Sequence, residues 1–247
     1  MASDDLWFTH DGVKQVAYVY RPEGAGPHPV VIYNHGSRMG REREPRRWED
    51  QAHRMAARGY LVVVPERRGY GESDGSTFSD ATRAADGSLD SALFAPRMIA
   101  EAGDVLAACD VIRQRPDADP RRIFICGRSL GGIVTVLCAG RSSAFRAACN
   151  MCAAALTWDQ SPHIQEALLS AARRTTIPML LLQAHTDKSL APTLALAQVY
   201  RKAGIRFGCT IYPTALPDDH PMAGIIGGQW RWLDDMLEFF VWVEQIT

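Results

Sequence analysis

The 247-residue chain has no surplus of charge of either sign: 27 Lys and Arg face 28 Asp and Glu, a formal net charge of −1. Such a balance supplies no long-range field for gripping nucleic acid or an anionic membrane surface, so neither is expected as a partner. There is no apolar run approaching the ~20 residues that span a bilayer. The opening Met1-Ala2-Ser3-Asp4-Asp5 has neither the basic start nor the apolar stretch of a secretory signal, and the chain as it stands is read as cytoplasmic. Nor is there a full metal-binding cysteine pattern. Cys149-Asn150-Met151-Cys152 has the spacing of half a zinc site or a redox pair, but no second Cys/His pair follows at matching distance. Cys126 and Cys209 fall in apolar strand-like runs and Cys109 and Cys138 in helix-like ones, where a reduced thiol serves as a small buried hydrophobe. Finally, no internal repeat, low-complexity tract or long polar linker divides the chain, so residues 1–247 are expected to form a single domain.

What is present is an alternation. Runs rich in Val, Ile and Leu at Val13–Tyr20, Pro29–Asn34, Tyr60–Pro65, Arg122–Cys126, Ala147–Met151, Pro178–Gln183 and Phe207–Tyr212 read as strands. Most do not alternate with polar residues, as befits strands buried on both faces. Between them, Trp48–Arg58, Pro96–Arg113, Gly131–Gly140, Ile164–Arg173, Pro192–Ala203 and Trp230–Glu244 carry apolar residues at helical spacing. Strand followed by covering helix predicts an α/β fold with a mostly parallel sheet. The segment Ser73–Ala95 is the longest irregular stretch, a surface connection or a functional loop. Between the Ala147 and Pro178 strands there is room for only one helix, which leaves no large lid.

Gly127-Arg128-Ser129-Leu130-Gly131 lies directly between a strand and a helix. A tight strand-to-helix turn strains its central residue and needs small neighbours, hence Gly127, Gly131 and Gly132. The turn holds Ser129 out above the sheet edge. The helix beyond aims its N-terminal N–H groups at the same spot, where negative charge develops during acyl transfer, and Leu130 N–H is the expected oxyanion donor.

On these residues the chain resembles the α/β-hydrolase superfamily, in particular its compact esterase and dienelactone-hydrolase-like members, and the resemblance extends over most of the sequence. It implies three further parts. Val30-Val31-Ile32-Tyr33-Asn34-His35-Gly36-Ser37 looks like the family's oxyanion loop, which makes the Ser37 backbone N–H the second donor. Pro178 to Asp187 resembles the late strand followed by a loop aspartate, so Asp187 is the expected acid that orients the base. The loop beyond the last strand supplies one histidine, His220, as general base. The chain order Ser129, Asp187, His220 is that of this fold.

Rival readings accompany these. His185 is a competing base, Asp218 and Asp219 competing acids, and His35 is expected to shape its loop rather than move protons. Dienelactone hydrolases proper use cysteine as nucleophile and haloalkane dehalogenases aspartate, whereas this chain has Ser129. Arg128 suits a packing or surface role. Arg38, Arg41, Arg43, Arg46 and Arg47 alternate with acidic residues, which favours a salt-bridged face over a site for an acidic substrate. Tyr70, in the Arg67–Ser73 turn, is a candidate substrate contact, although the segment reads more readily as a structural turn; Trp158, a second candidate contact, could like Phe94 and Met222 line an apolar pocket or belong to the core. The expected activity is hydrolysis of a small-molecule carboxylic ester through an acyl-enzyme, without cofactor or metal. A peptidase or acyltransferase with the same triad, or a non-catalytic binding protein, are the alternatives.

Overall fold

The computed structural model describes residues 3–246; Met1 and Ala2, on which part of the N-terminal reading rests, lie outside them, as does Thr247. Eight strands form one sheet: β1 (Ser3–His10), β2 (Val13–Tyr20), β3 (His28–Asn34), β4 (Leu61–Glu66), β5 (Ala118–Arg128), β6 (Ala147–Met151), β7 (Met179–Ala184) and β8 (Phe207–Tyr212). Their spatial order is β1-β2-β4-β3-β5-β6-β7-β8. β2 pairs antiparallel with β1 and β4, and every pairing from β4 to β8 is parallel.

The unalternating strand sequences have a direct structural cause. Val30, Ile32, Leu61, Val63, Ile123 and Ile125 point into one apolar layer, while Val31, Tyr33, Val62, Val64, Phe124 and Cys126 point into the other. Successive strand residues face opposite sides, so a sheet covered twice needs apolar residues at every position. Helices α1 (Glu49–Ala56) and α7 (Arg231–Gln245) cover one face. The other is covered by α2 (Phe78–Thr82), α3 (Ser91–Ile112), α4 (Leu130–Ala139), α5 (Pro162–Arg174) and α6 (Ala191–Ala203). No helix among the described residues is long and apolar enough to cross a membrane.

Three expectations are corrected here. The stretch Ser73–Ala95 is not irregular throughout: Thr77 Oγ1 caps α2 by accepting Asp80 N–H at 3.1 Å, and α3 starts at Ser91, with the Asp90 carboxylate accepting Ala92 N–H at 2.8 Å. Pro96, expected near the helix start, lies inside α3. Cys209 is exposed, because β8 is an edge strand; the other five cysteines are buried free thiols.

Candidate active site

Between β5 and α4 the chain turns within one residue. Ser129 has φ 58° and ψ −119°, a region that costs an L-residue roughly 1–3 kcal/mol and persists only where its surroundings impose it. The glycines show what imposes it. A side chain at Gly127 would collide with the Gly131 carbonyl, one at Gly131 with the Asn34 and His35 carbonyls, and one at Gly132 with Asn150 Oδ1. The elbow is therefore wedged against the ends of β3 and β6. Ser129 N–H donates to Met151 O at 2.9 Å, and Asn34 Nδ2 donates at 3.0 Å to Thr135 Oγ1, whose hydroxyl caps the Gly131 carbonyl. Leu130 opens α4, so its N–H has no acceptor within the helix.

The loops after β7 and β8 bring two more groups to Ser129. His220 Nε2 lies 2.9 Å from Ser129 Oγ, and His220 Nδ1 lies 2.9 Å from Asp187 Oδ1. A carboxylate only accepts, so Nδ1 carries the proton and Nε2 presents its lone pair to the serine hydroxyl. Asp187 is held in turn by Lys188 N–H on Oδ1 at 2.7 Å and by Gln183 Nε2 on Oδ2 at 2.8 Å. Burial opposes a charge on the His220 ring, but the hydrogen bond to Asp187, with the Cys152 thiol beside it, outweighs this and raises the His220 pKa above its ordinary 6.5.

The rivals are engaged elsewhere. His185 Nδ1 lies between Tyr212 O and Thr214 N–H. Asp219 is buried and accepts from Thr214 Oγ1, Ala223 N–H and Gly224 N–H, which knits the loop that carries His220. Asp218 contributes its carbonyl to His220 N–H. His35 is fully buried, donates from Nδ1 to Gly36 O at 2.8 Å and stacks on Trp48. Burial and the neighbouring Arg67 and Arg38 charges drive its pKa well below 6.5, so it stays neutral.

Ser37, Ser129 and Leu130 line a cavity of about 120 Å3 together with Met39, Phe78, Leu89, Phe94, Ile133 and residues 154–157. Tyr70 and Trp158, the candidate substrate contacts, are not among its walls, and both take their structural alternatives. Tyr70 is completely buried and packs edge-on against His35, with Arg38 and Arg67 over its ring, because the turn that carries it folds behind the Ser37 loop. Trp158 belongs to the apolar layer beneath α5, and Met222 to the opposite layer. Of the arginine tract, Arg38 pairs with Glu66, Arg43 donates to Ser73 O and Gly75 O, Arg46 sits over the Trp48 ring and Arg47 pairs with Asp5.

Three contributors escaped the sequence reading. Gln183 orients Asp187; Arg128 donates to Pro221 O at 3.0 Å, tying the elbow to the His220 loop; Cys152 Sγ contacts His220 O at 3.5 Å. A polar residue ending an otherwise apolar strand was the available signal for Gln183. Cys152 Sγ, an Asp187 oxygen and a His220 nitrogen lie within 4.8 Å of one another, a donor set that suits zinc, but their mutual hydrogen bonds already account for the grouping.

The family model described as "Dienelactone hydrolase family" matches residues 16–217. The chain belongs to the dienelactone hydrolase family. Relatives of this dienelactone hydrolase-like α/β hydrolase include peptidases. "Uncharacterized peptidase YuxL" of Bacillus subtilis is 31% identical over 144 residues, 57% of this chain but 20% of that protein. Among solved structures, the acylaminoacyl peptidase of Pyrococcus horikoshii superposes with a TM-score of 0.74 at 18% identity, covering 97% of this chain and 41% of the other. Acetyl xylan esterase 1 of Thermoanaerobacterium sp. gives 0.68 at 18%, covering 98% and 83%. The chain thus spans well under half the length of both peptidases. At these identities the two solved structures establish the shared α/β-hydrolase fold and nothing narrower.

Proposed function

We propose that this dienelactone hydrolase-family protein is a serine hydrolase that cleaves a carboxylic ester through an acyl-enzyme. The observation that carries the reading is the unbroken row Asp187 Oδ1, His220 Nδ1, His220 Nε2, Ser129 Oγ, with 2.9 Å at each link, ending on a strained serine at the wall of a cavity. Ser129 Oγ attacks the ester carbonyl while His220 Nε2 takes its proton. The carbonyl oxygen becomes an oxyanion held by the Ser37 and Leu130 N–H groups, an interaction of the kind worth about 10²–10³ in rate per donor. The C–O bond to the alcohol then breaks, and the imidazolium protonates the departing oxygen. Water, deprotonated by His220, attacks the acyl-enzyme and releases the acid, returning the proton to Ser129. Asp187 keeps the imidazole in the reactive tautomer and stabilises its charged form without taking the proton. Every step draws on protein groups and water.

Cleavage of an amide uses the same groups, and the likeness of residues to a peptidase of Bacillus subtilis favours it as the second reading. Incubation with a fluorophosphonate probe tests the common step: covalent labelling of Ser129 is expected, and folded protein that resists labelling overturns the proposal. Comparing p-nitrophenyl esters with peptide p-nitroanilides separates the two readings. Ester turnover well above amide turnover is expected.

A further inference from the structure

The cavity at Ser129 is one-sided. Its walls come from the Ser37 loop, from α2 and the start of α3, from α4 and from residues 154–157; none comes from the loops that carry Asp187 and His220. His220 must protonate the leaving group, so the leaving group departs on the His220 side. The cavity lies on the other side of the nucleophile and is where the acyl group goes.

Its chemistry is equally one-sided. Met39, Phe78, Leu89, Phe94, Ile133, Ala154, Ala155 and Leu156 make the walls apolar, and the polar side chains among them are the uncharged hydroxyls of Ser37, Ser129 and Thr157. Met39, Leu89 and Leu156 are 62, 36 and 53% exposed, which continues the apolar lining onto the rim. An apolar cavity of roughly 150 Å3 holds benzene, and this one measures about 120 Å3. Four arginines of the tract that follows Ser37 are engaged elsewhere: Arg38 is turned inward onto Glu66, and Arg43, Arg46 and Arg47 are bound to Ser73 and Gly75, Trp48, and Asp5; no arginine is among the cavity's own walls.

Resting on the serine-hydrolase reading, we infer that the substrate's acyl part is uncharged and apolar, a straight chain of about four to six carbons or a single ring, with the alcohol side left open to many leaving groups. An unpaired carboxylate driven into this cavity would lose its hydration without compensation, which selects against a diacid half-ester by a factor on the order of a hundred or more. Leu89, at the rim and partly exposed, sets the upper length.

The experiment is a series of p-nitrophenyl esters with one leaving group and varied acyl parts: acetate, butyrate, hexanoate, decanoate, benzoate and monosuccinate. The expected result is a maximum in kcat/KM at butyrate, hexanoate or benzoate, with monosuccinate about a hundredfold or more below butyrate. Leu89→Ala should move the maximum to a longer chain and Leu89→Trp to a shorter one. Varying the leaving group among phenols of similar acidity at constant acyl group should change kcat/KM far less than varying the acyl group does. Monosuccinate matching butyrate, a flat acyl profile, or a maximum that ignores both Leu89 variants overturns the inference. Fluorophosphonate labelling of Ser129, measured on the same samples, keeps the two proposals apart. Labelling with a flat profile, or with none of the esters cleaved or able to slow labelling, sinks the acyl pocket alone; absence of labelling in folded protein sinks both.

Discussion

Two histidine–carboxylate pairs lie on either side of the Gly36 turn, and their surroundings drive the two rings in opposite directions. In the pair at the nucleophile, Asp187 reaches His220 Nδ1 at 2.9 Å, and its own oxygens are filled by Gln183 and Lys188 N–H. That bond favours the charged ring and raises the His220 pKa against the burial that opposes it. In the pair behind the loop, Glu66 Oε1 stops 4.0 Å from His35 Nε2, and neither atom has a hydrogen-bond partner among the described residues. His35 donates through Nδ1 to Gly36 O, so Nε2 turns a lone pair towards Glu66. With burial and two guanidinium groups beside it, His35 falls well below its ordinary pKa. Burial pushes Glu66 up to about 7 despite Arg38 and Arg67. At His35, burial and the flanking guanidinium charges prevail, and the nearby carboxyl, itself pushed towards its protonated form, does not offset them; at His220 the hydrogen bond to the fully held Asp187 carboxylate does.

The largest effect should come from breaking the first pair without removing its shape. Asp187→Asn keeps the size of the side chain, but an amide that donates to His220 Nδ1 forces the proton onto Nε2. A loss of about 10⁴-fold in kcat is expected, read from initial rates of ester cleavage, with the thermal unfolding midpoint nearly unchanged. The pH profile of the unaltered protein is a companion measurement. The base must be neutral to act, and its pKa is raised, so kcat/KM should climb with pH along a limb centred above 6.5. In Asp187→Asn the residual activity should show that limb displaced to lower pH. A limb that stays in place would mean that Asp187 does not govern the basicity of His220.

A smaller effect is expected from the second pair, and it falls on stability. Glu66 holds its proton more tightly in the folded chain than in the unfolded one. Its contribution is therefore fully present below about 4.5 and is lost as pH rises through about 7. Glu66→Gln keeps the neutral shape at all pH values. Relative to the unaltered protein it should gain stability between pH 5 and pH 8, by up to ~3 kcal/mol, as measured by urea unfolding at each pH. If the variant instead loses stability at pH 8, the ionised Glu66–Arg38 pair is a net support and the contrast between the two histidines narrows.

The first pair was legible in the sequence and the second was not, for a physical reason. Ser129, Asp187 and His220 each follow a recognisable strand, and a parallel sheet delivers the ends of its strands to one edge, so order along the chain translates into proximity. The strands themselves are legible because a doubly covered sheet demands apolar residues at every position. β1 is not, since an edge strand with one partner tolerates Ser3, Asp4 and Asp5; only Asp11-Gly12, with φ of 49° and 73°, marks its hairpin. The arginine tract reads as a salt-bridged face, but its partners cannot be read. Arg38 reaches Glu66 on β4 and Arg67 reaches Glu101 in α3, and nothing in local spacing announces those meetings; only Arg97 and Glu101, four residues apart on one helix, form a pair that helical spacing announces. For Tyr70 the structural-turn reading holds and the substrate contact does not, because the direction of its turn depends on that buried cluster. The cavity walls were anticipated as loops, yet α2 and the first turn of α3 supply Phe78 and Phe94.

The smallest effect sharpens the comparison by asking what keeps the first pair within reach of the nucleophile. His220 sits in a loop whose base is closed by the Thr214–Ile225 bridge and whose interior is knitted by Asp219, but both devices hold the loop to itself. Arg128 joins it to the elbow, one residue before Ser129, through its bond to Pro221 O, one residue after His220. A hydrogen bond from a charged donor contributes up to about 1.5–3 kcal/mol when shielded, and less at a solvent-exposed site such as this one. Arg128→Met retains the aliphatic stem and removes the bond. The expected outcome is a fall in kcat of about three- to tenfold, corresponding to roughly 1 kcal/mol, with KM for a short-chain ester unchanged because Arg128 does not line the cavity. The pH limb should keep its position, since the Asp187–His220 bond is untouched. Arg128→Lys should restore part of the rate through a single donor. A change in KM with constant kcat would place Arg128 in substrate binding, and a displaced limb would mean that the loop had carried His220 away from Asp187 as well as from Ser129.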